Sequence, residues 1–246
     1  MSRLLPMLAW IWLHLLVENI SNQRLRESVL EDSVNKPWRP LPSGRVSASE
    51  AQRWLQALIP SALATSLFMG SFTPSVTLMT FIWLYNDLDG SSTGPWQRNA
   101  INAAGLACFG WGASEVLIGE RARDGESTLF HYWFVLMAVV VTTTVHAQDM
   151  PDMDGDRARG RKTMPLLYSE KWARGSLATF ILLWSIVCPY FWGSVTALAW
   201  IVPLGIGCAM AFFTLFSWKQ PTDEMVWKLW CLWIAVIYTL PLLRRN

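Results

Sequence analysis

Residues 129–147 read LFHYWFVLMAVVVTTTVHA, a run without a single Asp, Glu, Lys or Arg. A helix needs roughly 20 consecutive apolar residues to cross a bilayer, and this run approaches that length. It is followed at once by Gln148-Asp149-Met150-Pro151-Asp152-Met153-Asp154-Gly155-Asp156-Arg157, so the change of character marks a bilayer edge. Outward from it, the pattern of long apolar runs and short polar breaks repeats along the whole chain. The runs fall at 4–18, 52–69, 73–86, 97–117, 129–147, 173–190, 194–216 and 226–242. The expected fold class is therefore all-α: a multi-pass transmembrane helical bundle of about eight helices, in a single domain over 1–246. Gly70-Ser71-Phe72-Thr73-Pro74 reads as a tight turn between the second and third segments.

Composition agrees. Of 246 residues 52% are hydrophobic and only 15% charged, against roughly 25% charged in soluble domains, and the mean hydropathy is +0.27. Sixteen Trp are many for this length, and Trp54, Trp96, Trp172, Trp218 and Trp227 stand near run ends, where an amphipathic ring has both an apolar and a wet neighbour. A net charge of +2, with no basic stripe, gives no reason to expect a nucleic-acid partner. Cys108, Cys188, Cys208 and Cys231 lie inside apolar runs without C-x-x-C spacing and read as reduced core residues. The opening run, 4–17, lacks a small-residue cleavage site and is expected to remain as a membrane helix.

Successive crossings put loops 19–51, 85–96, 148–172 and 217–225 on one face, and 70–72, 118–128, 191–193 and the C-terminal tail on the other. About a dozen of the 20 Lys and Arg fall on the first face and about five on the second, so the long loops are expected to face the cytoplasm.

Asp149, Asp152 and Asp156 are spaced i, i+3, i+7. One continuous helix would put all three carboxylates on one face, over roughly 10 Å. Three like charges in a stripe repel one another unless a cation stands between them. Magnesium, a hard cation bound through carboxylates and substrate phosphates, suits that role. Pro151 interrupts the backbone hydrogen-bond ladder and threatens a kink. Arg157, Arg159, Arg161 and Lys162 come next in the chain, and can neutralise phosphate oxygens.

By parity the loop after the first segment lies on the same face. It runs Asn22-Gln23-Arg24 through Glu31-Asp32 to Asn35-Lys36-Pro37-Trp38-Arg39-Pro40. Two acidic clusters with basic neighbours suit a diphosphate held between metal ions.

These two tracts resemble the paired aspartate-rich motifs of the UbiA superfamily of intramembrane prenyltransferases. D-x-x-D-x-x-x-D with Pro and Gly inside, then Gly160-Arg161-Lys162-Thr163, is similar to the second motif. Asn35-Lys36-Pro37-x-Arg39-Pro40-Leu41-Pro42-Ser43-Gly44 is similar to the stretch just after the first motif. In register with that first motif, N-x-x-x-D-x-x-x-D, stand Arg24, Ser28 and Asp32, so only the last aspartate is kept. Asn22-Gln23 with Glu31-Asp32, Tyr85-Asn86-Asp87-Leu88 and Arg98-Asn99-x-x-Asn102-Ala103 resemble the fungal branch of membrane-bound terpene cyclases of the fumagillin-pathway type.

The resemblance implies a bundle around a central cavity and a magnesium-dependent enzyme of isoprenoid diphosphates. It implies Asp149, Asp152 and Asp156 as catalytic and metal-binding residues, with Glu31 and Asp32 joining them on the metal. Asn22, Lys36, Arg39, Arg157, Arg161 and Lys162 are expected on the diphosphate. The family usually has nine transmembrane helices; the eight read here correspond to a chain that begins at the second, through a truncated gene model or a lineage variant.

The implied chemistry is ionisation of farnesyl or geranylgeranyl diphosphate and cyclisation of the cation to a terpene, in secondary metabolism at the endoplasmic reticulum. Transfer of the prenyl group to an aromatic or other acceptor is the alternative. A transporter or a non-catalytic membrane protein is the reading from another class, but transporters carry ionisable residues near the bilayer midplane. Here Glu115 is the main charge inside a run. His14, His131 and His146 have no metal-ligand spacing and are expected to pack, with a minor role open for His146 close to Asp149; Asp87 and Asp89 are expected as caps, with a third ligand as the alternative.

Overall fold

The computed structural model describes residues 3–119, 127–194 and 196–243. Among the described residues eleven α-helices succeed one another: α1 (Leu4–Arg24), α2 (Arg26–Asn35), α3 (Ala48–Met69), α4 (Phe72–Asn86), α5 (Pro95–Ile118), α6 (Ser127–Thr144), α7 (Met153–Arg159), α8 (Met164–Leu167), α9 (Glu170–Phe191), α10 (Ala197–Phe216) and α11 (Gln220–Tyr238). Short 3-10 turns, Val145–Asp149 and Leu240–Leu243, extend α6 and α11, and no strand occurs among the described residues. Each of the eight expected apolar segments is found in a helix or its 3-10 extension, with shifted ends. Among the described residues five helical stretches, Leu4–Arg24, Pro95–Ile118, Thr128–Asp149, Glu170–Phe191 and Ala197–Phe216, are long and apolar enough to span a membrane. α4, with 15 residues, is about 22 Å long and shorter than the hydrocarbon core. Most of the expected 118–128 connection lies outside the described residues.

The outside of the bundle is apolar. Phe68, Leu5, Tyr190 and Phe216 are all more than 70% exposed, an arrangement that water penalises and lipid does not. The protein is an integral membrane protein. Cys208 and Cys231 share this surface, so the expectation of four core cysteines holds only for the buried Cys108 and Cys188; all four are free thiols.

The chain forms two compact units, Met1–Thr142 with Asp154–Lys162, and Thr143–Met153 with Thr163–Asn246. In the first, α1 packs on α3 and α5, and α4 on α5. The core holds Trp10, Val17, Leu55, Ala62, Leu78, Ile82, Cys108 and Val116. Gly112 admits the Trp10 indole, whose Cζ3 stands 2.9 Å from where a Cβ would be. The indole N–H donates to Ser66 Oγ at 2.8 Å. His14, stacked on Trp10, bonds the Trp10 carbonyl and Ser75 Oγ, each at 2.7 Å. Small residues and interhelical hydrogen bonds are how helices associate where no hydrophobic drive exists between them. His14 thus packs, as expected.

Helix limits obey local chemistry. α3 opens with a capping box, Ser47 and Glu50 satisfying each other's backbone N–H groups, and closes at Gly70 with φ 76°. Pro37 ends α2 by driving Lys36 out of the helical region, to φ −142°.

In the second unit α9 packs on α10, and α10 on α11. Trp233 donates to Ser185 Oγ at 2.9 Å, and Ser185 donates to the Ile181 and Pro203 carbonyls at 2.8 and 3.1 Å. At its polar end Arg174, fully buried, donates from both terminal nitrogens to Asp223, at 2.7 Å each. Its other donors reach Glu170 and the Thr214 carbonyl.

Candidate functional site

The tract through Asp149, Asp152 and Asp156 is not one continuous helix, as Pro151 threatened. α6 passes into the 3-10 turn that carries Asp149, residues 150–152 turn, and α7 starts afresh at Met153. Pro151 has no N–H to continue the ladder, and its ring clashes with the preceding turn. Asp149 and Asp152 accordingly belong to the second unit and Asp156 to the first.

In the first unit the site is built on α2, whose amphipathicity is inverted. Ser28, Glu31 and Asp32 are buried, while Leu30 and Val34 are about half exposed. The loop expected over 19–51 is thus largely helical. Its first residues extend α1 to Arg24, and α2 comes next with its polar stripe turned inward.

Three groups meet that stripe. Arg39 reaches back from beyond Pro37, and its Nη1 lies 2.9 Å from each Asp32 oxygen. Burial pushes the Asp32 carboxyl above its usual range, and the Arg39 hydrogen bond pulls the other way. Arg159, at the end of α7, donates from Nη1 to Ser28 Oγ at 2.9 Å and to Glu31 Oε2 at 3.2 Å. Its Nη2 meets Ser91 Oγ at 3.3 Å and Asp89 Oδ1 at 3.5 Å. Arg161 donates to Glu31 Oε1 at 2.9 Å and lies 3.5 Å from Asp156 Oδ1.

Gly160 makes this convergence possible. With φ 79° it ends α7 in the left-handed region, and the Arg161 N–H bonds back to the Asp156 carbonyl at 2.9 Å. The Gly155 N–H, on α7, donates to Asn35 Oδ1 at the end of α2 at 2.9 Å. Segments after α1, after α4 and at α7 therefore meet within this unit, in keeping with the parity of their loops.

The remaining expected residues lie further out. Arg157 pairs with Asp154 at 2.9 Å, both well exposed. Lys162 is exposed, and Asn22 and Lys36 are half-buried. Ser28 and Ser91 were not among the residues expected on metal or diphosphate. Arg159 stood in the basic tail expected to neutralise phosphate oxygens, and Ser28 stood in register with a first-motif aspartate; Ser91 carries no sequence signal of its own. Arg24, in register with the family's Asn, pairs with Asp87, which also caps α4.

In the second unit Asp149 is fully buried in its 3-10 turn and Asp152 is half-buried. Buried His146 has Nε2 3.2 Å from the Ala173 carbonyl. A cleft of ≈ 570 Å³ on α9, lined by Ser169, Trp172, Ser176 and Phe180 among others, includes none of the expected site residues.

Among the described residues no group of three or more His, Cys, Asp or Glu stands ready around a metal. In the first unit arginines occupy the carboxylates instead, which keeps buried charges compensated. The donors still fit magnesium chemically: they are carboxylate oxygens, hard ligands for a hard cation. The arginines fit a polyphosphate equally well, since a guanidinium matches phosphate oxygens in its fork geometry.

Paired carboxylates and guanidiniums thus lie buried at the polar end of a lipid-exposed helical unit. The chain belongs to the UbiA prenyltransferase family, whose model matches residues 2–241, and it is an enzyme of that superfamily. It is 32% identical over 239 residues to the fumagillin beta-trans-bergamotene synthase of Aspergillus fumigatus, covering 96% of this chain and 80% of that one. It is 28% identical to the somaliensene A/B synthase of Streptomyces somaliensis, with 94% and 78% covered. The fold is similar to that of a UbiA homolog from Archaeoglobus fulgidus bound to GPP and Mg2+, with a TM-score of 0.65, 16% identity and coverage of 94% of this chain and 87% of the other.

Proposed function

We propose that this enzyme ionises farnesyl or geranylgeranyl diphosphate and cyclises the resulting cation to a terpene. The observation that carries the reading is the 32% identity to a bergamotene synthase across 96% of the chain, joined to an acidic tract with a basic tail. Asp149, Asp152, Asp156 and Asp32 are each proposed as magnesium ligands. Magnesium, when bound, supplies positive charge against the departing diphosphate.

The chain's own residues carry the rest. Arg39, Arg161 and Lys162 neutralise phosphate oxygens, and Asn22, Lys36 and Arg157 are proposed to assist. The allylic C–O bond breaks heterolytically and its electron pair leaves with the diphosphate. The cation is then attacked by its own double bonds, and loss of a proton yields the hydrocarbon. Water must be excluded meanwhile, or the cation is quenched to an alcohol. Aromatic faces stabilise it by roughly 0.5–2 kcal/mol each. We place the enzyme in secondary metabolism at the endoplasmic reticulum, with the aspartate loops on the cytoplasmic face, from the distribution of Lys and Arg.

The test is to incubate membranes containing the protein with each diphosphate and magnesium, without acceptor, and to analyse the extract for hydrocarbons. A cyclic terpene is expected. Turnover only after an aromatic acceptor is added would replace cyclisation by prenyl transfer. Asp152→Ala and Asp156→Ala should each abolish turnover; full activity in either would remove that residue from the metal site.

A further inference from the structure

Glu31 divides its two oxygens between two arginines. Oε1 accepts from Arg161 at 2.9 Å, and Oε2 accepts from Arg159 at 3.2 Å. All three side chains are at least nine-tenths buried. Two guanidiniums repel each other, so their approach from either side of Gly160 needs a counter-charge between them. Ser28, one turn before Glu31 on α2, accepts from the same Arg159 nitrogen at 2.9 Å and fixes its aim. Arg161 has capacity to spare: its buried Nε has no hydrogen-bond partner among the described residues. A guanidinium carries five N–H donors in a fixed plane, so an oxyanion can be received without dismissing Glu31.

We propose that Glu31 is a positioning residue, holding Arg159 and Arg161 as a two-guanidinium fork for the diphosphate of the substrate, and is not a ligand to the divalent metal. This rests on the isoprenoid-diphosphate reading above and changes the part played by Glu31 within it. A carboxylate whose two oxygens both hold guanidiniums acts through them.

Glu31→Asp tests this, because it keeps the charge and shortens the reach by one methylene, so that the carboxylate holds one arginine and loses the other. Binding of inorganic pyrophosphate in EDTA, and of magnesium alone, is measured by calorimetry on the full-length protein in detergent. The expected result is roughly tenfold weaker pyrophosphate binding with magnesium binding unchanged within about twofold. In an Arg159→Lys background the same substitution should change pyrophosphate binding less than about twofold, because the partner it acts through is already gone. If Glu31→Asp is not recovered folded, Arg159→Lys alone reads the same arm and should show the same selective loss. A tenfold loss of magnesium affinity with unchanged pyrophosphate binding would make Glu31 a metal ligand and overturn the proposal. Wild-type binding with no effect of Glu31→Asp or Arg159→Lys would sink the proposal alone. A folded wild type that binds no pyrophosphate, with or without magnesium, would take down the diphosphate reading as well.

Discussion

Gly155→Ala is a sharp test of how α7 is seated on α2. An ideal Cβ at residue 155 would stand against the Asn35 amide, 2.5 Å from its Cγ and 2.7 Å from Oδ1. Asn35 must swing away, and the hydrogen bond its Oδ1 accepts from the Gly155 N–H at 2.9 Å goes with it. Overpacking costs about 1–3 kcal/mol, and the lost hydrogen bond about 1 kcal/mol. Against these, Ala is favoured over Gly inside a helix by about 1 kcal/mol. The net is about 2 kcal/mol of destabilisation, or roughly 4–8 °C in Tm for a protein of this size. Asn35→Ala alone should cost about 1 kcal/mol, and the double variant should return close to wild type, since the obstruction is gone and the helix gain remains. Thermal unfolding of the purified protein in detergent reads all three, and turnover by membranes should fall with Gly155→Ala because Asp156 is the next residue. A rise in Tm with Gly155→Ala, as propensity alone would give, would refute the contact.

Gly112→Ala should lower Tm similarly, because the methyl meets a fully buried Trp10 whose N–H is already held by Ser66; overpacking here is about 1–3 kcal/mol, and Trp10→Phe should rescue it. Asp223→Asn should cost about 3–5 kcal/mol by leaving the buried Arg174 half-compensated, and unchanged thermal stability would deny that this pair is buried. Arg157→Ala, removing an exposed partner of Asp154, should change stability by less than about 0.5 kcal/mol. If its pyrophosphate affinity is also unchanged, Arg157 drops out of the substrate set.

The sequence alone was enough for the class of protein. Apolar runs such as 129–147, ended by charged tracts, need no tertiary information, because a bilayer imposes its thickness on every helix that crosses it. The turn at Gly70 and the end of α2 at Pro37 are equally local, being set by what one residue does to φ and ψ. The aspartates and their basic tail were legible as a chemical kind.

Their partners were not. Helical spacing put Asp149, Asp152 and Asp156 on one stripe, but Pro151 broke the ladder and left Asp149 in a 3-10 turn. Only the fold shows that α2 turns Ser28, Glu31 and Asp32 inward and Leu30 and Val34 outward, because the guanidiniums that compensate the buried carboxylates, Arg39, Arg159 and Arg161, are brought there by tertiary packing. Glu31 is separated from Arg159 by 128 positions and from Arg161 by 130. No spacing rule spans that distance; it takes the packing of α7 on α2 to put two buried guanidiniums on one carboxylate.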